Sequence, residues 1–297
     1  ISRYLPVDRA QQRQDAMVKE ITHDLPGLLD LRDAHLTVPA VAPSRATDPA
    51  FDGAIVGATG VYSPTMPLDR VESMQPNNGA QVKASVILIN GIMTDLAIHQ
   101  ADMQALANTG CQVVGIRNAT HGMVMDLVEC LRNKLNVDDT PAVHTTVRLL
   151  AQALERGQPV HLVGHSQGAL IIARSLQVLR DNMLQVGLTT AQAGEKLGLI
   201  KVETFGGASN TFVDGPKYRH VINSADLVPM LMGVGLDRFN PVGHAGKGAE
   251  FRKFTEVNMP RNLPPLSGGV AWSVARAMDQ SVHGPRDVYF KYRNSGG

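Results

Sequence analysis

From residue 84 onward, short apolar runs alternate along the chain with longer amphipathic stretches. Five runs rich in β-branched residues predict strands covered on both faces, at 84–90, 111–116, 159–163, 200–205 and 218–223. The stretches between the runs predict helices at 95–107, 123–135, 141–156 and 169–180. Strands that alternate with helices of this length predict crossover connections. We therefore expect an α/β fold in which helices flank a mostly parallel central sheet.

The first 80 residues follow a different pattern. A polar helix with a thin apolar stripe is predicted over 8–33, and a passage rich in proline and alanine follows it. Segments 54–62 and 69–74 then predict a pair of edge strands. We interpret residues 1–80 as a helical and extended N-terminal extension that packs on a main domain over 81–297.

Composition excludes several classes of protein. Apolar residues make up 43% of the 297 residues, which is enough for a large core. Lys and Arg number 28 against 27 Asp and Glu, so no basic field is available to bind nucleic acid. The two cysteines, Cys111 and Cys130, are too few for a disulfide-rich scaffold or a four-cysteine zinc site, although one disulfide between them stays open.

No segment has the length and composition of a membrane span. The longest nearly apolar stretch without a charge, Leu227 to Leu236, is too short to cross a bilayer. The start carries interspersed charges and no apolar signal-peptide region. Because the chain begins with Ile1, we interpret it as a processed form or a fragment. The compartment stays open between the cytoplasm and export without a visible signal peptide, as for a secreted effector.

The chemistry is suggested by Gly164-His-Ser166-Gln-Gly168, which fits the G-x-S-x-G pattern. The motif directly follows a predicted buried strand and opens a predicted helix. A serine on such a sharp turn needs neighbours without a β-carbon, because the strand and the helix approach closely there. Helix N-terminal amides then point to where negative charge develops during acyl transfer. We predict that Ser166 is a nucleophile; the alternative is a glycine-rich turn with an incidental serine.

The predicted strand, the sharp turn at Ser166 and the predicted helix together resemble the α/β-hydrolase superfamily in its lipase and esterase branch. The resemblance implies the α/β-hydrolase fold, a serine nucleophile and the chain order serine, acid, histidine. It also implies that residues 81–297 are a catalytic domain. No metal and no organic cofactor are expected for such a reaction.

Asp226 is the predicted acid. It follows the strand predicted over 218–223, which directs it to the same sheet edge as the serine. The segment from Asp226 to Pro229, with Thr204-Phe-Gly-Gly207 before it, resembles the acid segment of class 3 lipases. A turn or helix cap is the alternative role, and Asp237 is the reserve acid.

His283 is the predicted base, because a serine hydroxyl needs a base within hydrogen-bond reach. It follows a helix predicted over 270–280 near the end of the chain, where the superfamily places its histidine. A histidine followed by Tyr289 also resembles the ending of lipases. His244 stays open as the alternative base, since it too follows the acid, and His283 as a surface residue is a further alternative.

Two backbone donors are expected to form an oxyanion hole. One is the N–H of Gln167, and the other is the N–H of Ile92 or Met93 in the loop after the first predicted strand. The superfamily often has His-Gly at this corner, whereas this chain has Asn90-Gly91. That difference changes a side chain but leaves the backbone donors in place.

Met123, Met230, Met232 and His165 are predicted to line the substrate pocket. Thioether side chains adapt to varied acyl chains, although core packing is their more common use. Because the net charge is near zero, no overall electrostatic attraction to an anionic membrane is expected. Peripheral contact with a lipid surface would therefore depend on apolar side chains at the sheet edge that carries Ser166.

We therefore predict a serine hydrolase that cleaves carboxylic esters, acting on lipid or acyl esters as a lipase, phospholipase or esterase. The alternatives are an acyltransferase, thioesterase or amidase with the same residues, and a non-catalytic hydrolase-like binding module.

Overall fold

The computed structural model describes residues 51–92, 94–119, 140–231, 233–235, 243–256 and 280–294. Within these residues, eight strands form one sheet in the order β2-β1-β4-β3-β5-β6-β7-β8. The strands are β1 (Ile55–Val56), β2 (Val61–Tyr62), β3 (Ala84–Ile89), β4 (Cys111–Ile116), β5 (Val160–His165), β6 (Ile200–Phe205), β7 (Lys217–Asn223) and β8 (Glu250–Phe254). Strands β3 to β8 run parallel, whereas β1 is antiparallel to both β2 and β4. The predicted mostly parallel sheet is confirmed.

Helices flank the sheet, as the sequence predicts. They are α1 (Leu96–Ala107), α2 (Pro141–Glu155), α3 (Gln167–Gln185), α4 (Thr190–Leu197), α5 (Leu227–Leu231) and α6 (Gln280–His283). There are also short 3₁₀ helices at Leu68–Arg70 and Phe290–Tyr292 and one turn of π-helix at Pro285–Tyr289. The helix predicted over 123–135 lies outside the described residues. None of the described helices is both long and apolar enough to cross a bilayer.

The core lies on both faces of the sheet, which explains the continuous apolar runs. Alternate residues of β3 point to opposite faces. Ile87 and Ile89 join a cluster with α2 and α3, whereas Val86 and Leu88 join a second cluster with α1 and residues 288–290. Each such buried aliphatic side chain contributes about 1.5–3 kcal/mol to stability.

The edge strands differ from the prediction. The hairpin β1–β2 lies wholly within 54–62, because the N–H of Gly57 donates to the carbonyl of Gly60 and turns the chain there. Segment 69–74 forms no strand; only Met74 bridges to Val113. Residues 51–80 thus add two strands to the common sheet. The division at residue 80 stays a prediction, and residues 1–50 lie outside the described part.

The predicted strand at 159–163 continues to His165, and the predicted helix at 169–180 begins at Gln167. The strand therefore passes into α3 through Ser166 alone. The carboxyl ends of β3, β5 and β7 meet at one edge of the sheet, which is where ligands bind in folds of this type.

Candidate active site

Ser166 lies on a strained turn between β5 and α3. Its φ is 54° and its ψ is −121°, and it is the only non-glycine residue with positive φ in the described part of the chain. A β-carbon on Gly164 would lie 2.8 Å from the amide nitrogen of Ala169, and one on Gly168 would overlap the carbonyl oxygen of Ile89. The glycines thus allow the close approach that the turn requires, and Ser166 is 4% exposed.

Asp226 follows β7 and is fully buried. Its Oδ2 lies 2.6 Å from Nδ1 of His283, which donates to it. Its Oδ1 accepts the N–H of Val228 at 2.9 Å. The structure therefore brings the predicted acid and the predicted base into direct contact, with the carboxylate oriented by the backbone of α5.

Tyr289 adds a hydrogen bond that the sequence does not predict. Its hydroxyl donates to Oδ2 of Asp226 at 2.6 Å and accepts the N–H of Asn223 at 3.2 Å. Burial and the nearby charge of Asp226 raise the pKa of Tyr289, so the phenol stays a donor. Gly206, at φ 56°, leaves room for this contact, because a β-carbon there would lie 3.0 Å from Oδ2.

The second ring nitrogen of His283 is available. The side chain is 1% exposed, and its Nε2 has no hydrogen-bond partner among the described residues. His165 holds the backbone beside it, because Nε2–H of His165 donates to the carbonyl of His283 at 2.7 Å. The two rings lie 4.6 Å apart. Burial lowers the pKa of His165 well below its usual value, so His165 is neutral.

The loop after β3, which contains the predicted oxyanion donors, lies against Ser166. A β-carbon on Gly91 would lie 2.9 Å from the β-carbon of Ser166, so this corner abuts the nucleophile candidate. Ile92 follows and is half-buried, whereas Met93 lies outside the described residues. Across the turn, the N–H of Gln167 belongs to the first turn of α3, where backbone donors have no intrahelical acceptor.

The alternative base, His244, lies elsewhere. Its Nε2 is 2.7 Å from Oδ1 of Asp214, in the loop after β6, and both side chains are more than half exposed. The bond from His244 and the backbone N–H of Lys247 lower the pKa of Asp214. The structure therefore pairs His244 with a surface carboxylate and not with Asp226.

The other predicted site residues are only partly covered by the structure. Met230 lies half-buried in α5, two residues from the backbone donor to Asp226. Met123, Met232 and the reserve acid Asp237 lie outside the described residues. Within the described ranges, no group of three or more His, Cys, Asp or Glu side chains is arranged to hold a metal ion. Cys111 is a buried free thiol, and Cys130 lies outside the description.

Comparison with protein-family models gives a match to the alpha/beta hydrolase family over residues 86–294, which is more than half of the chain. The chain belongs to the alpha/beta hydrolase family. The match spans the serine, aspartate and histidine of this hydrolase, and the predicted superfamily and fold are confirmed. The narrower likeness to class 3 lipases stays a prediction.

Solved structures also resemble this hydrolase, at low identity. A provisionally named dienelactone hydrolase from Klebsiella pneumoniae is 10% identical, with a TM-score of 0.34, over 62% of this chain and 78% of that chain. A dienelactone hydrolase-like promiscuous phosphotriesterase from metagenomic libraries is 12% identical, with a TM-score of 0.33, over 61% and 73%. No curated protein matches the chain.

Proposed function

We propose that this hydrolase cleaves carboxylic esters through a Ser166–His283–Asp226 triad and an acyl-enzyme. The observation that carries the proposal is the buried 2.6 Å contact between Asp226 and His283 at the sheet edge that holds the strained serine. Strain at a single non-glycine residue, at the sheet edge that also holds an imidazole oriented by a carboxylate, is typical of nucleophilic catalysis.

In the proposed reaction, Oγ of Ser166 attacks the ester carbonyl carbon while its proton moves to Nε2 of His283. Two observations support this role: no described residue hydrogen-bonds to Nε2 of His283, and Nδ1 is occupied by Asp226. The tetrahedral intermediate collapses, the acyl C–O bond breaks and the leaving alcohol takes the proton from His283. Water then attacks the acyl-enzyme by the same route and releases the carboxylic acid and free Ser166.

The negative oxygen of the intermediate is proposed to accept the N–H groups of Gln167 and of Ile92 or Met93. The close packing of Gly91 against Ser166 supports this location, because it holds the loop beside the reacting carbon. Such preorganised donors favour the transition state over the ground state.

Lipid or acyl esters are the proposed substrates. The apolar segment that begins at Leu227 follows the acid directly, and Met230 within it is half-buried near the site. We propose that this segment contacts the acyl chain, where burial favours longer chains by about 0.8 kcal/mol for each methylene removed from water. We expect kcat/KM to rise from acetate to decanoate esters of p-nitrophenol.

The variant Ser166→Ala tests the proposal. Its hydrolysis of p-nitrophenyl butyrate is expected to fall by about 10³-fold or more, because the nucleophile is lost. Labelling by a fluorophosphonate probe should disappear with it. The matched control is Ser224→Ala, an exposed serine at the same sheet edge, which should keep both. Retained activity and labelling in a folded Ser166→Ala protein would contradict the triad.

A further inference from the structure

A buried pair of asparagines lies on the oxyanion side of Ser166. Asn90 follows β3 and is 2% exposed, and Asn118 follows β4 and is 5% exposed. Because burying a carboxamide costs free energy unless it is hydrogen-bonded, the partners of these two side chains indicate what they do.

Asn90 clamps two backbone segments together. Its Oδ1 accepts the N–H of Asn118 at 2.8 Å. Its Nδ2 donates to the carbonyl of Asn118 at 2.9 Å and to the carbonyl of Gly91 at 2.8 Å. The third bond reaches the corner that precedes Ile92. A loop that contains glycine has much conformational freedom, and this bond restricts it at the position that abuts Ser166.

Asn118 links these hydrogen bonds to the first turn of α3. Its side-chain nitrogen lies 2.7 Å from Oε1 of Gln167, the first residue of α3. The contact joins residues that are 49 positions apart in the chain. One network therefore links the Gly91 corner to Gln167, which are the two arms of the proposed oxyanion hole.

The arrangement is more specific than packing alone requires. Apolar side chains of similar volume would fill the space between the strand ends, whereas these amides make four directed hydrogen bonds. All four end on the backbone of the two strand ends or on Gln167. Oxyanion donors stabilise a transition state only when they are held in place before the reaction.

We infer that Asn118, together with Asn90, is a positioning residue that holds both arms of the oxyanion hole. This inference rests on the proposed ester hydrolysis. Asn118 acts through Gln167 and does not itself contact the reacting atoms. Its effect should therefore appear in the chemical step and not in the binding of the ground-state ester.

The test compares Asn118→Ala, Gln167→Met and the double variant in the whole 297-residue chain with p-nitrophenyl butyrate. Loss of a whole oxyanion donor costs about 10²–10³-fold in kcat, so a loosened donor should cost about 10-fold. KM should stay within about twofold, and affinity for an alkyl boronic acid that mimics the intermediate should fall in parallel with kcat. The double variant should be no slower than either single variant, because both break the same contact.

Gln167→Met keeps the inference testable if Asn118→Ala does not fold, because Gln167 is only half-buried and methionine has a similar shape. Gln177→Met, an exposed glutamine on the same helix, is the matched control and should keep kcat within about twofold. Unchanged kcat in folded Gln167→Met, or a double variant whose loss is the product of the single losses, would overturn the inference. A wild-type protein that neither hydrolyses the ester nor reacts with a fluorophosphonate would overturn the proposed function as well.

Discussion

Two histidine–aspartate pairs in this hydrolase have almost the same contact distance and very different surroundings. Nδ1 of His283 lies 2.6 Å from Asp226, and Nε2 of His244 lies 2.7 Å from Asp214. In the first pair the side chains are 1% and 0% exposed, whereas in the second they are 52% and 58% exposed. Distance alone therefore does not distinguish a candidate catalytic pair from a surface contact.

The difference lies in what else each carboxylate binds. Asp226 also accepts a backbone N–H and the hydroxyl of Tyr289, all away from water. Asp214 accepts the N–H of Lys247 at the surface, where the contact joins the loop after β6 to the residues before β8. Water competes for the exposed pair and weakens it, whereas the buried network is electrostatically strong and geometrically restrained.

Replacing the histidine of each pair is expected to give the largest difference in activity between the two pairs. His283→Asn is expected to lower kcat/KM for p-nitrophenyl butyrate by about 10³-fold, because Ser166 loses its proposed base. His244→Asn should change it by less than about twofold, since an exposed ion pair contributes little. Steady-state kinetics on both variants, with circular dichroism to establish folding, gives the answer. Equal losses in the two variants would remove the distinction between the pairs.

A smaller effect is expected from Tyr289→Phe, which changes only the hydrogen bonding of the buried pair. The carboxylate of Asp226 loses one donor and the N–H of Asn223 loses its acceptor. Leaving buried polar groups unpaired costs about 1–3 kcal/mol of unfolding free energy, which urea denaturation measures. We also expect kcat to fall by about 10-fold, because the carboxylate that orients His283 is less restrained.

Tyr292→Phe is the control for this change. Its hydroxyl binds Glu256 outside the network and lies 2.6 Å from Oε2 of that residue. It should leave kcat within about twofold of the wild type. A kcat for Tyr289→Phe that equals the control's would show that the phenol supports folding alone.

A third carboxylate, Asp102, is buried like Asp226 but is expected to make the stability of the protein depend on pH. It is a buried residue of α1 and lies 3.0 Å from Nε of the half-exposed Arg286, without a network like that of Asp226. Burial raises its pKa to about 7, despite the opposing charge of Arg286. The folded protein therefore binds this proton more tightly than the unfolded chain, and stability falls as pH rises from the unfolded value towards 7.

Asp102→Asn should remove that dependence. We expect the unfolding free energy of the wild type, relative to the variant, to fall by about 2–3 kcal/mol between about pH 5 and pH 8. Urea denaturation at a series of pH values measures it. Glu195→Gln, which removes an exposed carboxylate of α4, is the control and should keep the wild-type slope. If the unfolding free energy of Asp102→Asn depended on pH as that of the wild type does, a group other than Asp102 would cause the dependence.

Local patterns predicted most of the fold. The β-branched runs correspond to β3 through β7, and the caps at Asp95 and Thr140 begin α1 and α2 as such residues usually do. Prediction was weakest in segment 54–74, because the two strands of its hairpin are only two residues long and show no periodicity. Periodicity needs several residues to separate a strand from a turn.

The candidate site divides in the same way. The position of Ser166 follows from its local motif, because the strand and helix on either side are its immediate neighbours. The donors from Tyr289 and Asn118 were not predictable, since each reaches across the fold to a residue 63 or 49 positions away. No local pattern of charge or hydrophobicity specifies such a partner.

The sequence by itself determined the alternation of strands and helices, the strained turn at Ser166 and the order of the candidate serine, acid and histidine. These depend on steric limits and on burial, which act between near neighbours in the chain. The tertiary structure alone decided that His283 and not His244 lies against Asp226, and that three hydrogen bonds replace water around that carboxylate. The sequence favoured His283 but left His244 open, because both follow the acid in the chain. The packing of the C-terminal segment against the sheet then placed His283, and not His244, against Asp226.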